Sequence, residues 1–131
     1  MNTSRATILI VEDNALNLEL ATDLLAAEGY LISQAQSGEE GLRLAREAPP
    51  ALILMDLRLP GIDGYAALRQ LKEDPRTAHI PTVALTAQAM RGDKEAVLAA
   101  GFDGYISKPI DIRTFSQTVA RVLAKGGSGR S

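Results

Sequence analysis

The chain has 131 residues, 46% of them hydrophobic and 4% aromatic, with no cysteine and a net charge of -2. That length makes one domain with an aliphatic core the expectation, and without thiols neither a disulfide framework nor a thiolate zinc site can form, so a reducing, cytoplasmic setting is the natural one. The weak acidic balance argues against a broad basic surface for nucleic acid; no run approaches the roughly 20 apolar residues of a membrane span, and the first apolar run is too short for a signal peptide.

Strand-like and helix-like segments alternate five times. Thr7–Val11 is a continuous apolar and β-branched run, as in a strand buried on both faces. Asn14 is placed to cap a helix whose Leu16, Leu20 and Leu24 recur at four-residue spacing and which Gly29 ends. Tyr30–Ala35 reads as a weaker, more polar strand near a sheet edge. Ser37-Gly-Glu-Glu40 has capping-box spacing and opens a helix carrying Leu42 and Leu44, terminated by Pro49-Pro50.

Leu52–Met55 is the third strand, followed by a loop, Leu57–Asp63, that contains Pro60-Gly61. A helix is expected from about Gly64 to Glu73 with Leu68 and Leu71 inward. Strand four is Thr82–Leu85, and a helix around Asp93–Ala100 stops at Gly101. Strand five is Tyr105–Ser107. Asp111 then caps a last helix with Phe115, Val119, Val122 and Leu123 on one face. Residues 126–131, rich in Gly and Ser, read as a flexible tail after a domain spanning 1–125.

This alternation predicts an α/β fold, a doubly wound five-stranded parallel sheet, (βα)5, with right-handed crossovers. Ligands of such sheets bind beyond the carboxyl ends of the strands, where strand order reverses. Four apolar runs end there in polar residues: Glu12-Asp13, Asp56, Thr86 and Lys108.

Three clustered carboxylates need a cation, since two unit charges about 4 Å apart repel by about 4 kcal/mol at an effective dielectric of about 20. An all-oxygen set suits Mg²⁺, with Mn²⁺ as a substitute. Taken alone, the Glu12-Asp13 pair fits a solvated turn equally well. Asp56 at a rigid strand end is a candidate nucleophile for aspartyl-phosphate chemistry. Lys108 is biased towards extended backbone by Pro109 and can pair with Asp56 or with a phosphate oxygen. Thr86 offers a hydroxyl and Ala87 a backbone N–H to the same oxygens.

The stretches ILIVEDN, LILMDLRLPGIDG, PTVALTA and GYISKPI, in that order, resemble the receiver domains of two-component response regulators, over about residues 6 to 125. The resemblance implies the flavodoxin-like strand order 2-1-3-4-5. It also implies that Asp56 accepts a phosphoryl group from a phosphohistidine on a histidine kinase or phosphotransfer protein. Asp13, Asp56 and the Arg58 backbone carbonyl would bind Mg²⁺, with Glu12 acting through water. Lys108 and Thr86 would hold phosphoryl oxygens, Tyr105 would be the switch aromatic that follows Thr86, and Pro109 would follow a cis bond. Phosphorylation would reshape a protein-binding face built from helix four, strand five and helix five. Arg58 and Gln88 flank the path of the hydrolytic water, and slow to moderate self-dephosphorylation is the expectation.

The wording VEDNALN, ILMDLRLP and AHIPTVALTAQAMRGD is most similar to single-domain cell-division regulators of the DivK type, and also to receivers embedded in hybrid histidine kinases. Output would pass to a downstream protein target, from a monomer or weak dimer. Ala15 and Leu18, with Pro109 and Ile110, are expected as an exposed apolar patch that docks a kinase; ordinary core edge fits them equally. His79 reads as a loop residue, and Met55 and Met90 as packing residues. A haloacid-dehalogenase-type phosphatase would need an Asp where Arg58 stands. An FMN carrier would need a phosphate loop free of the Glu12-Asp13 charge.

Overall fold

The computed structural model describes residues 6–87 and 91–129. Five parallel strands, β1 (Thr7–Val11), β2 (Leu31–Ala35), β3 (Leu52–Asp56), β4 (Thr82–Thr86) and β5 (Gly104–Ser107), lie in the order β2-β1-β3-β4-β5. Between and after them come α1 (Ala15–Ala27), α2 (Gly38–Glu47), α3 (Gly64–Glu73), α4 (Arg91–Ala100) and α5 (Ile112–Gly129). This is the expected doubly wound flavodoxin-like fold. Met90 and Gln88 lie outside the described residues.

The caps predicted at Asn14, Ser37 and Asp111 form, and Asp63 supplies a further one that was not predicted. Asn14 Oδ1 accepts from the Asn17 N–H at 3.0 Å, and Asp63, as cap of α3, accepts from the Ala66 N–H at 2.8 Å. Asp111 Oδ1 accepts from the Arg113 N–H at 3.0 Å. Ser37 Oγ accepts from the Glu40 N–H at 3.1 Å, but the return arm of the box differs: Glu40 Oε1 takes the N–H of Gln36, one residue before the cap, at 2.9 Å. Gly29, at φ +99°, takes the left-handed turn after α1, and the Tyr30 N–H returns to the Leu25 carbonyl. Helix α4 starts two residues before the expected Asp93, and α5 continues to Gly129, into the segment set apart as a tail.

Strand residues alternate between two apolar layers. Ile8, Ile10, Leu52 and Leu54 face a layer closed by α1 and α5, where Phe115 and Val119 are fully buried. Leu9, Val11, Ile53 and Met55 face a layer closed by α2, α3 and α4, through Leu42, Leu68, Leu71 and Val97. Strands β3 and β4 are buried at every position, whereas β2, at the edge, is mostly not. The packing roles read for Met55, Leu68, Leu71 and the α5 stripe hold, and His79 is an exposed turn residue.

Helix α1 corrects the sequence reading. Its buried face is Leu18, Ala21 and Leu25, while Leu16 is 76% exposed and Leu20 38%. Leucine and alanine cover a wide arc of this helix, broken by Asn17, Glu19, Thr22 and Asp23, so four-residue spacing alone could not choose the inward face. Leu18, expected on an exposed docking patch, is buried against the α5 layer; Ala15 and Pro109 are exposed and Ile110 is half-buried.

Candidate functional site

The chain runs from β1 out to β2, then returns to place β3 on the other side of β1, so strand order reverses between β1 and β3. Backbone bonds carry the strand ends to a common edge. The Glu12 N–H donates to the Ala35 carbonyl, Leu57 to Leu85, and Lys108 to Thr86, at 2.9, 3.0 and 2.7 Å. Strand register places Asp56 beside Leu85 and Thr86 beside Ser107. Glu12, Asp13, Asp56, Thr86 and Lys108 therefore gather at the carboxyl edge of the sheet.

Asp56 is buried, and its two oxygens have separate donors. Oδ1 accepts from the Arg58 N–H and Oδ2 from Lys108 Nζ, both at 2.9 Å. The same ammonium lies 2.7 Å from Glu12 Oε1, forming a second ion pair. Glu12 Oε2 accepts from the Asn14 N–H at 3.0 Å, which leaves the buried Oε1 to the ammonium. The Lys108–Pro109 peptide is cis.

Burial, then the neighbouring Asp56 carboxyl, pushes Glu12 up to about 7 against the opposing pull of Lys108 and the Asn14 N–H. Burial works against the Lys108 charge, but Glu12 and Asp56 outweigh it and raise its pKa. One ammonium is thus shared by two buried carboxylates, and Asp13 adds an exposed third. Oxygens of Glu12, Asp13 and Asp56 come within 4.8 Å of one another. Three carboxylates against one ammonium, offering oxygen donors throughout, fit a hard divalent cation.

Among the remaining expected residues, Thr86 is buried at its strand end, Ala87 is exposed just beyond it, and Tyr105 is half-buried against the α2/α3/α4 layer. Arg58 is exposed. No helix among the described residues is long and apolar enough to cross a membrane.

Residues 8–120 match the family model of the response regulator receiver domain. The chain belongs to this family. The polar-differentiation response regulator DivK of Brucella ovis is 46% identical over 117 residues, covering 89% of this chain and 95% of that one. A CheY-like receiver domain protein from Methanospirillum hungatei superposes with a TM-score of 0.87 at 27% identity, covering 96% of this chain and 99% of that one. The receiver domain of a sensor histidine kinase from Pseudomonas aeruginosa, solved with magnesium in its active-site cleft, gives 0.84 at 34% identity over 92% and 99%. As a response regulator receiver domain, the chain is a two-component signalling module rather than a conventional enzyme.

Two polar contacts outside the acidic cluster were not read from the sequence. Glu39, in the first turn of α2, reaches across to the loop after β3, where its Oε2 accepts from the Ile62 N–H at 3.3 Å. Asp74 pairs with Arg46 and Arg76 at 3.2 and 2.9 Å. Nothing in the local spacing marks Ile62 as the partner of Glu39, 23 residues away.

Proposed function

We propose that Asp56 takes a phosphoryl group from a phosphohistidine on a histidine kinase or phosphotransfer protein. A carboxylate oxygen of Asp56 forms the new P–O bond as the P–N bond breaks and the imidazole leaves. The observation that carries this reading is Lys108 Nζ, held between Asp56 and Glu12 beside a third carboxylate at the strand switch point. Asp13, Asp56 and the Arg58 backbone carbonyl would hold Mg²⁺ (or Mn²⁺), with Glu12 behind them through water. The cation supplies charge neutralisation for the incoming phosphoryl group.

Lys108 is already charged and aimed at Asp56, so it holds one phosphoryl oxygen without a proton transfer. The Thr86 hydroxyl and the Ala87 N–H hold another. Drawing Thr86 inward alters the packing beside Tyr105, and the product's added charge of about two biases the α4–β5–α5 face towards a downstream protein target. The domain assists its own phosphorylation and dephosphorylation in the cytoplasm, and Arg58 beside Asp56 supports slow to moderate loss of the group. The likeness to a sensor-kinase receiver supports a second setting for the same chemistry, within a hybrid kinase.

The test is incubation with acetyl phosphate and Mg²⁺, followed by intact mass. One phosphoryl adduct, absent in Asp56→Asn and absent without the metal, is expected. An unmodified wild-type chain would reject the assignment.

A further inference from the structure

The loop between β3 and α3 is tied down at both ends and at its tip. At its start the Arg58 N–H is bonded to Asp56 Oδ1. At its base the Gly64 N–H donates to the Leu57 carbonyl at 3.1 Å, and a Cβ on Gly64 would stand 2.5 Å from the Asp56 carbonyl oxygen, so the two strands of the loop are in backbone contact. The tip is held from another element. Glu39 of α2 lays its exposed carboxylate against Gly61 and accepts from the Ile62 N–H at 3.3 Å. A Cβ on Gly61 would meet Glu39 Oε2 at 2.6 Å, and one on Gly38 would meet Ile62 Cγ1 at 2.7 Å, so the first turn of α2 and the loop tip fit without a gap.

We propose that Glu39 is a positioning residue for cation binding: by bracing the tip of the 57–63 loop it keeps the Arg58 carbonyl in place for the metal, without touching the acidic site. The inference rests on the metal role proposed above for Arg58. Its physical basis is preorganisation. If the loop adopts the binding geometry in only a fraction of molecules, apparent affinity falls by that fraction. The Glu39 carboxylate stabilises that geometry through an acceptor contact with a backbone N–H, and its charge also attracts a cation at a distance that salt screens. Glutamine separates the two effects, since it keeps an acceptor and loses the charge.

The test is titration of the full chain with Mg²⁺ alone, followed by backbone amide NMR shifts, in wild type, Glu39→Gln and Glu39→Ala at physiological salt. Glu39→Ala should weaken the apparent Kd about two- to fivefold, the scale of one partly exposed hydrogen bond, while Glu39→Gln stays within about 1.5-fold of wild type. A role confined to stability would lower the urea midpoint of Glu39→Ala and leave Kd unchanged, which would overturn the proposal. Equal weakening in Gln and Ala would also overturn it, in favour of charge alone. A wild type showing no Mg²⁺-dependent shifts would reject the metal reading and this inference with it. Normal wild-type binding with an unaffected Glu39→Ala would reject only the inference.

Discussion

Lys108 and Asp56 are 52 residues apart in the chain, yet Nζ and Oδ2 meet at 2.9 Å in a place where both side chains are largely shielded from water. The ammonium also faces Glu12 at 2.7 Å, so its removal exposes two buried carboxylates to each other. Lys108→Ala is expected to lose about 3–5 kcal/mol of stability in metal-free buffer near neutral pH, as other broken buried pairs do. Saturating Mg²⁺ should recover much of the loss. Urea unfolding with and without the metal checks this, and an equal deficit in both conditions would contradict it.

Glu12 gives the metal-free protein a pH dependence of definite sign. Its folded pKa of about 7 lies above the ordinary 4.5, so the native state binds more protons than the unfolded chain between those values. Stability therefore falls as pH rises through that window and levels off above it. Asp74 has the opposite sign: Arg76 holds it down at about 2 from 3.8, so its contribution is lost as pH falls through that interval. Urea midpoints measured between about pH 5 and about pH 8 should decline in the wild type and flatten in Glu12→Gln. A midpoint that rises with pH would reverse the argument.

The inward face of α1 can be tested by two leucines. Leu25 is fully buried and Leu16 is 76% exposed. Leu25→Ala should cost about 2–5 kcal/mol and Leu16→Ala less than about 0.5 kcal/mol. Chemical denaturation would distinguish these, and equal costs would return the helix to the face that four-residue spacing suggested.

Two glycines should respond to alanine for different reasons. Gly29 has φ +99° and open space around a Cβ, so Gly29→Ala meets only backbone strain, about 1–2 kcal/mol. Gly64 has an ordinary φ, but its Cβ would press on the Asp56 carbonyl oxygen and on Leu57 Cα at 2.5 and 2.8 Å. Backbone gives way less readily than side chains, so Gly64→Ala should cost more, about 3 kcal/mol. It should also disturb the amide shifts of Arg58, which Gly29→Ala leaves alone.

Most of the fold was legible because each signal had one physical meaning. Buried strands ran apolar between turn residues, and Asn14, Ser37 and Asp111 each stood where a helix needs an acceptor. The site was legible because parallel connectivity sends strand ends to one edge, so Asp56, Thr86 and Lys108 could be grouped before any distance was known. What escaped had no periodic signature. Helix α1 carries leucine or alanine over a wide arc, so its pattern left Leu18 equally open to a docking patch and to core edge. Glu39 and Asp74 act through contacts with Ile62 and Arg46 that no sequence spacing encodes.

The two apolar layers have a consequence for how the strands find their alignment. Sliding β3 one step along β1 would exchange Ile53 and Met55 with Leu52 and Leu54 across the sheet, an almost even trade of one aliphatic surface for another. Hydrophobicity therefore distinguishes poorly between neighbouring alignments. The strand ends do distinguish them, because a slip either drags Asp56 into the aliphatic interior or pulls it away from Lys108 and leaves Glu12 facing the ammonium alone. The polar ends proposed for phosphoryl transfer would thus also act as stops for the pairing of the central strands, and a variant stripped of them would be expected to sacrifice uniqueness of the native sheet.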